Sequence, residues 1–203
     1  GRLDDAVAQF RAALSHDPRL VDAWNNLGLA LGQLGKTEEA VAPLAEAVQL
    51  APEQVDLRVN LGTALRTVGR LPEAVAEFEH ALRLDPDSIA ARYQLGVVLT
   101  QTGRNDDAIA QYERVLRMDP SHAEAHNDLG VTLVNLERVA EALDHFEKAL
   151  ELNPGLRDPQ VGAALALLHR RSGEAWTVET LARDVGLSRS AFAERFSHFV
   201  GES

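Results

Sequence analysis

One pattern returns every 34 residues along this chain of 203 and limits its fold more than any other feature. Trp24-Leu27-Gly28, Arg58-Leu61-Gly62, Arg92-Leu95-Gly96 and His126-Leu129-Gly130 stand in one register. Each is followed at fixed offsets by Ala40, Ala74, Ala108 and Ala142, then by Pro52, Pro86, Pro120 and Pro154. A segment this short cannot bury its apolar face alone, so successive copies have to stack and share a core. Arrays of that kind hold other molecules far more often than they transform them.

Inside one copy the apolar residues keep helical spacing, as in Trp24, Leu27, Leu31 and then Ala40, Leu44, Ala47, Val48. Gly35, Gly69 and Gly103 break the pattern midway, where a left-handed residue ends a first helix. Position 137 holds a glutamate instead, which predicts a differently built turn in the fourth copy. The prolines stop the second helices. Small residues at 28, 62, 96 and 130 let paired helices approach closely. The pattern predicts helix–turn–helix repeats one to four at 21–54, 55–88, 89–122 and 123–156. Residues 1–20 read as the second half of an earlier repeat, with Ala6, Phe10, Ala13 and Pro18 in register.

These residues resemble the tetratricopeptide repeat (TPR) family, whose W-x₂-L-G-x₂-Y…A-x₃-F…A…P signature is met by Leu61-Gly62…Ala74…Phe78…Ala81…Pro86. Leucine replaces the tyrosine at 31, 65, 99 and 133. The resemblance covers about three-quarters of the chain. It implies an all-α solenoid of helix pairs whose first helices line a concave groove for a peptide or another protein.

The face of each first helix turned away from the core carries Asn25, Asn26 and Leu29, then Val59, Asn60 and Thr63, then Tyr93, Gln94 and Val97, then Asn127, Asp128 and Val131. One position recurs as Asn26, Asn60, Gln94 and Asp128. A side-chain amide can donate to a backbone carbonyl and accept from a backbone N–H together, so a ladder of them can grip an extended chain by its main chain. Candidate peptide-binding residues are therefore Asn25, Asn26, Asn60, Thr63, Tyr93, Gln94, Asn127 and Asp128. Similar asparagine ladders occur in the TPR arrays of sugar transferases acting on proteins. The competing reading is a hydrated polar face. Only Arg66 lies near it, so the basic cluster with which TPR proteins clamp a C-terminal carboxylate is missing.

Charge narrows the partners. Residues 1–156 carry 14 Lys and Arg against 25 Asp and Glu, while residues 157–203 carry 6 of each. A negative field repels a phosphate backbone, so the array is a poor nucleic-acid surface. Cysteine is absent, which removes disulfides, thiolate nucleophiles and cysteine-based metal sites. No apolar run approaches the ~20 residues of a membrane span. The chain opens at Gly1, inside a repeat, and a cytoplasmic location is inferred from composition.

Two motifs imitate catalytic ones. The stretch from Ala30 to Thr37, with Gly35-Lys36-Thr37, loosely matches a phosphate-binding loop, but a helix precedes it where that loop needs a strand. His122, Glu124 and His126 imitate a zinc-protease helix, with the glutamate misplaced and no third ligand. Neither supports catalysis, and we expect no enzyme, cofactor or metal.

After Pro154 the register fails, and Trp176 stands where alanine belongs. Residues 157–171 predict an amphipathic helix. Thr177 then caps a short helix through Val185, Gly186 turns the chain, and Ser188 caps another running to about 200. That arrangement suits a helix-turn-helix. Asp158-Pro159, Leu167-Leu168-His169 and the run from Trp176 through Leu181-Ala182, Val185-Gly186, Ser188-Arg189-Ser190, Phe192 to Phe196 resemble the AraC/XylS family of bacterial transcription regulators. The resemblance spans about 156–203 and implies the first of that family's two helix-turn-helix units. By resemblance Ser190, Ala193 and Glu194 would face bases, with Ser188, Arg189 and Arg195 close by. Zero net charge implies weak DNA binding without the second unit.

Three roles stay open from the sequence: a transcription regulator whose array recruits or senses a polypeptide, an adaptor array from a larger protein with the tail as a solenoid cap, and a plain scaffold.

Overall fold

The computed structural model describes residues 1–153 and 177–184 and, singly, residues 186, 188 and 191. Every regular element among them is a helix: α1 (Arg2–His16), α2 (Val21–Gln33), α3 (Thr37–Leu50), α4 (Val55–Thr67), α5 (Leu71–Leu84), α6 (Ile89–Gln101), α7 (Asn105–Met118), α8 (Ala123–Asn135), α9 (Val139–Leu152) and α10 (Val178–Asp184). The pairs α2–α3, α4–α5, α6–α7 and α8–α9 fall inside the four expected repeats. Helix α1 lies within residues 1–20. The helix expected at 157–171 lies outside the described residues.

Two compact units divide the chain, Gly1–Val98 and Leu99–Ser203. In the first, α2 packs on α1 and α3, and α4 packs on α3 and α5. Its core is Leu27, Leu31, Leu44 and Ala47, then Leu61, Leu65, Phe78 and Ala81. Gly62 explains the tight pairing of α4 with α5, since a Cβ there would lie 2.6 Å from the Phe78 ring. In the second unit α8 packs on α7 and α9, around Tyr112, Val115, Leu129, Leu133 and Phe146. Gly130 faces Phe146 at the same 2.6 Å.

The turns follow one plan. Gly35, Gly69 and Gly103 have φ of 74°, 79° and 75°. In repeat one, Gly35 N–H donates to Gly32 O and Lys36 N–H to Leu31 O, both at 2.9 Å. The fourth turn corrects the expectation from Glu137. That residue adopts the same left-handed conformation, with φ of 59°. Glu137 N–H donates to Val134 O and Arg138 N–H to Leu133 O, again at 2.9 Å. The hydrogen bonds that close the helix fix the backbone, and a side chain is carried there against its preference.

Between repeats an aspartate shapes the turn. The Asp17, Asp85 and Asp119 carboxylates accept from the backbone N–H two residues on, at 2.9, 3.0 and 3.0 Å.

Candidate peptide-binding site

The first helices that carry the candidate face are anchored by one recurrent bond. Trp24 Nε1 donates to Pro18 O at 2.9 Å, and Arg58 Nε to Pro52 O at 2.9 Å. An Arg92 Nη donates to Pro86 O, and His126 Nε2 to Pro120 O at 3.2 Å. Four side chains of three types thus reach the carbonyl six residues back. The position needs an N–H donor of sufficient length, not an indole.

A second partner stands 19 residues beyond the same position. Arg58 Nη1 meets Glu77 Oε2 at 2.8 Å, with the arginine side chain only 7% exposed. His126 Nδ1 meets His145 Nδ1 at 3.0 Å. In repeat one, Trp24 and Pro43 line an outer cavity of about 700 Å³ with Leu14, Leu27 and Leu31.

On the candidate face of the first unit, the structure brings two residues into direct contact. Asn60 Nδ2 donates to Asn25 Oδ1 at 2.9 Å, joining α4 to α2. Both are half-buried, and Asn26 is exposed beside them. Leu29, one helical turn on, is 38% exposed. Thr63 turns its hydroxyl into its own helix, donating to Val59 O at 2.8 Å, and Thr67 does the same to Thr63 O. Tyr93 and Gln94 on α6 are half-buried.

In the second unit Asp128 is half-buried, but Asn127 departs from expectation. It is 2% exposed, and its Nδ2 donates to Asp128 Oδ1 at a long 3.4 Å. A single buried stripe on α8 would leave position 127 on its outer face. Burial in fact covers Ala123, Asn127 and Gly130 as well as Ala125, Leu129, Thr132 and Leu133. That wider arc takes in position 127.

Sequence reasoning missed three side-chain partnerships. One is Asn25 with Asn60, another is His126 with His145. The third links Tyr112 OH to Thr100 Oγ1 at 3.3 Å, Thr100 to Thr132 Oγ1 at 3.0 Å, and Thr132 to Asp128 O at 2.8 Å.

Desolvation holds the His126 imidazole below the ordinary histidine range, opposed by its bond to the Pro120 carbonyl. His145 is lowered too, first by desolvation and then by His126. The zinc-like motif has structural roles. His122 Nδ1 accepts from Ala125 N–H at 3.2 Å as an N-cap, and His126 is committed to Pro120 and His145. Among the described residues no group of three or more His, Cys, Asp or Glu could hold a metal ion. Gly35 and Lys36, in the stretch that imitates a phosphate-binding loop, belong to the helix-closing turn.

Part of the C-terminal segment is described. Thr180 N–H donates to Thr177 Oγ1 at 3.2 Å, capping α10, which runs to Asp184. Ala182 is fully buried, Gly186 has φ of 76°, and Ser188 Oγ accepts from Ala191 N–H at 3.1 Å. Arg189, Ser190, Ala193, Glu194 and Arg195 lie outside the described residues. No helix of the described residues is long and apolar enough to cross a membrane.

Comparison with known proteins agrees with this geometry. Tetratricopeptide repeat models match residues 1–55, 65–127 and 101–157. A MamA crystal structure is similar with a TM-score of 0.69 and 26% identity, covering 75% of this chain and 90% of that one. The structure of YrrB, described as a TPR protein with an unusual peptide-binding site, has a TM-score of 0.65 and 29% identity over 84% of each chain. AraC-like transcription regulators of Streptomyces antibioticus and Streptomyces lividans are each 48% identical over 48 residues. That match takes in 24% of this chain and only 16% of either regulator's length. With its helix pairs, shared turn plan and matched models, the chain belongs to the tetratricopeptide repeat family and is an all-α solenoid.

Proposed function

We propose that this chain is a non-enzymatic scaffold that holds an extended polypeptide by its main chain, using the first helices of its repeats. The observation that carries the reading is the Asn25–Asn60 bond. It uses one donor and one acceptor of the pair and leaves Asn60 Oδ1 to accept and Asn25 Nδ2 to donate. A peptide group offers the complementary N–H and C=O. Asn26 adds an exposed amide, and Leu29 an apolar contact, on the same helix as Asn25. Gln94 and Asp128 continue the series in their own repeats. The peptide-binding site named in the description of YrrB supports the same use of this fold.

A display library of random peptides panned against the purified chain tests it. Clones should bind wild type and lose about tenfold in affinity with Asn26→Ala, because one or two hydrogen bonds to the guest disappear. Asn26 is exposed, so the melting temperature should barely move. Asn60→Ala should weaken binding as well, with a small loss of stability of about 1 kcal/mol from the broken bond to Asn25. Unaltered affinity in both variants rejects the amide grip.

The reading extends to the C-terminal segment, which we assign as part of an AraC-type DNA-binding region. Its support is the Thr177 cap, the buried Ala182, the left-handed Gly186 and the Ser188 cap. The 48 residues aligned with the two Streptomyces regulators, 48% of them identical, equal in number the stretch 156–203 that carries the resemblance. The whole is then a transcription regulator whose array recruits or senses a polypeptide. A gel-shift assay at low salt should show weak, salt-sensitive retardation by this segment. Tight binding by the chain alone would contradict the need for a second helix-turn-helix.

A further inference from the structure

The His126–His145 contact has a geometry that decides what it can do. The rings' centroids lie 5.3 Å apart with the Nδ1 atoms at 3.0 Å. A five-membered ring with sides near the usual C–N lengths has a radius of about 1.15 Å. The centroid separation is therefore the Nδ1···Nδ1 distance plus two radii, and the nitrogens point at each other head-on. With the nitrogens held 3.0 Å apart, two lone pairs converging on one metal ion at about 2.05 Å would bend inward and draw the centroids to about 4.7 Å. The arrangement is an N–H···N hydrogen bond and not a chelate.

The tautomers follow from the surroundings. The Pro120 carbonyl can only accept, so His126 carries its hydrogen on Nε2 and presents a bare Nδ1. His145 must then carry its hydrogen on Nδ1 and donate it to His126. A first extra proton can bind at His145 Nε2 and leave this bond intact, strengthened by charge. A second has only His126 Nδ1 to go to, where it would confront the His145 N–H across the same short gap with a like charge.

We propose that His126 and His145 form a one-proton latch that holds α8 to α9 in neutral solution and releases the fourth helix pair when weakly acid solution forces a second proton on it. The groups around the latch set its field. His122 caps α8, Glu113 approaches from α7, and Glu141, Asp144 and Lys148 stand on α9. The three carboxylates favour the first proton on His145, while Lys148 and His122 oppose a proton on His126. Both imidazoles are held below the ordinary value of about 6.5, so below that pH the unfolded chain binds more protons than the folded one. Stability from the contact is full above that value and declines as pH falls through it. Repeat two supplies a counterpart without histidine, with Arg58 and Glu77 at the equivalent positions.

Amide hydrogen exchange on the full chain, corrected for intrinsic rates, tests the latch. Between about pH 7.5 and about pH 5.5, protection in α8 and α9 should fall about tenfold or more relative to α4 and α5. The double variant His126→Arg with His145→Glu should abolish that difference. Should it fail to fold, His145→Gln keeps a donor toward His126 Nδ1, removes the second titrating ring and should also flatten the response. Imidazole nitrogen NMR of wild type should show the Nε2–H tautomer at His126 and the Nδ1–H tautomer at His145. Matching Nε2–H tautomers titrating independently, or an acid loss of protection undiminished in a folded variant, would overturn the proposal.

Discussion

Repeats two and four place different chemistry at the same two positions. Arg58 and Glu77 in repeat two form an ion pair 2.8 Å long. His126 and His145 in repeat four share a hydrogen between neutral rings at 3.0 Å. Both pairs keep the bond from the first residue to the proline carbonyl six residues back. The comparison separates two demands that the consensus tryptophan hides. The donor to the carbonyl is retained in all four repeats. The residue 19 positions on varies, as Pro43, Glu77, Gln111 and His145.

The largest expected effect breaks the ionic member of that comparison. Arg58→Met strands Glu77 beside a carbonyl without its donor, and should cost about 2–3 kcal/mol, below the full price of a buried pair because Glu77 keeps some solvent. His126→Gln should cost only about 1 kcal/mol, since two neutral hydrogen bonds are altered. Urea unfolding midpoints at neutral pH decide it, and equal losses would erase the distinction. Next in size, Thr132→Val removes the link between the Thr100 hydroxyl and the Asp128 carbonyl in a fully buried setting. A cost of about 2 kcal/mol is expected, against about 1 kcal/mol for Tyr112→Phe at the chain's other end. The same unfolding curves read both.

The smallest pair of effects sharpens the turns. Gly69→Ala in repeat two forces a side chain to a φ of 79° and should cost about 1 kcal/mol. Glu137→Gly in repeat four relieves that strain and should gain about 0.5–1 kcal/mol after the added chain entropy of glycine is counted. Thermal melts of the two variants should move in opposite directions.

The helix pairs were legible because apolar spacing repeats and burial follows it. Leu27, Ala40, Leu44 and Phe78 stand where periodicity puts them. What misled was treating residue type as the cause of backbone shape. Glu137 lacks glycine's freedom and yet takes glycine's conformation, because Arg138 N–H and Leu133 O close the helix regardless. Asn127 looked like a groove residue by polarity, and α8 buries it. The partnerships were hidden because each substitution read alone seems a loss of pattern. Tyr112 in a phenylalanine position and Thr132 in an alanine position are two halves of one hydroxyl chain. Pairing the exceptions by offset would have exposed them, whereas no single-position rule can.

The tie from each first helix to the proline before it has a consequence for how such arrays grow. Indole, guanidinium and imidazole all serve, and every tie closes within a few residues of its own joint. A copied or deleted repeat therefore brings its own fastening with it. Length can change in whole 34-residue steps while each seam stays sound, leaving the outward-facing amides free to diversify.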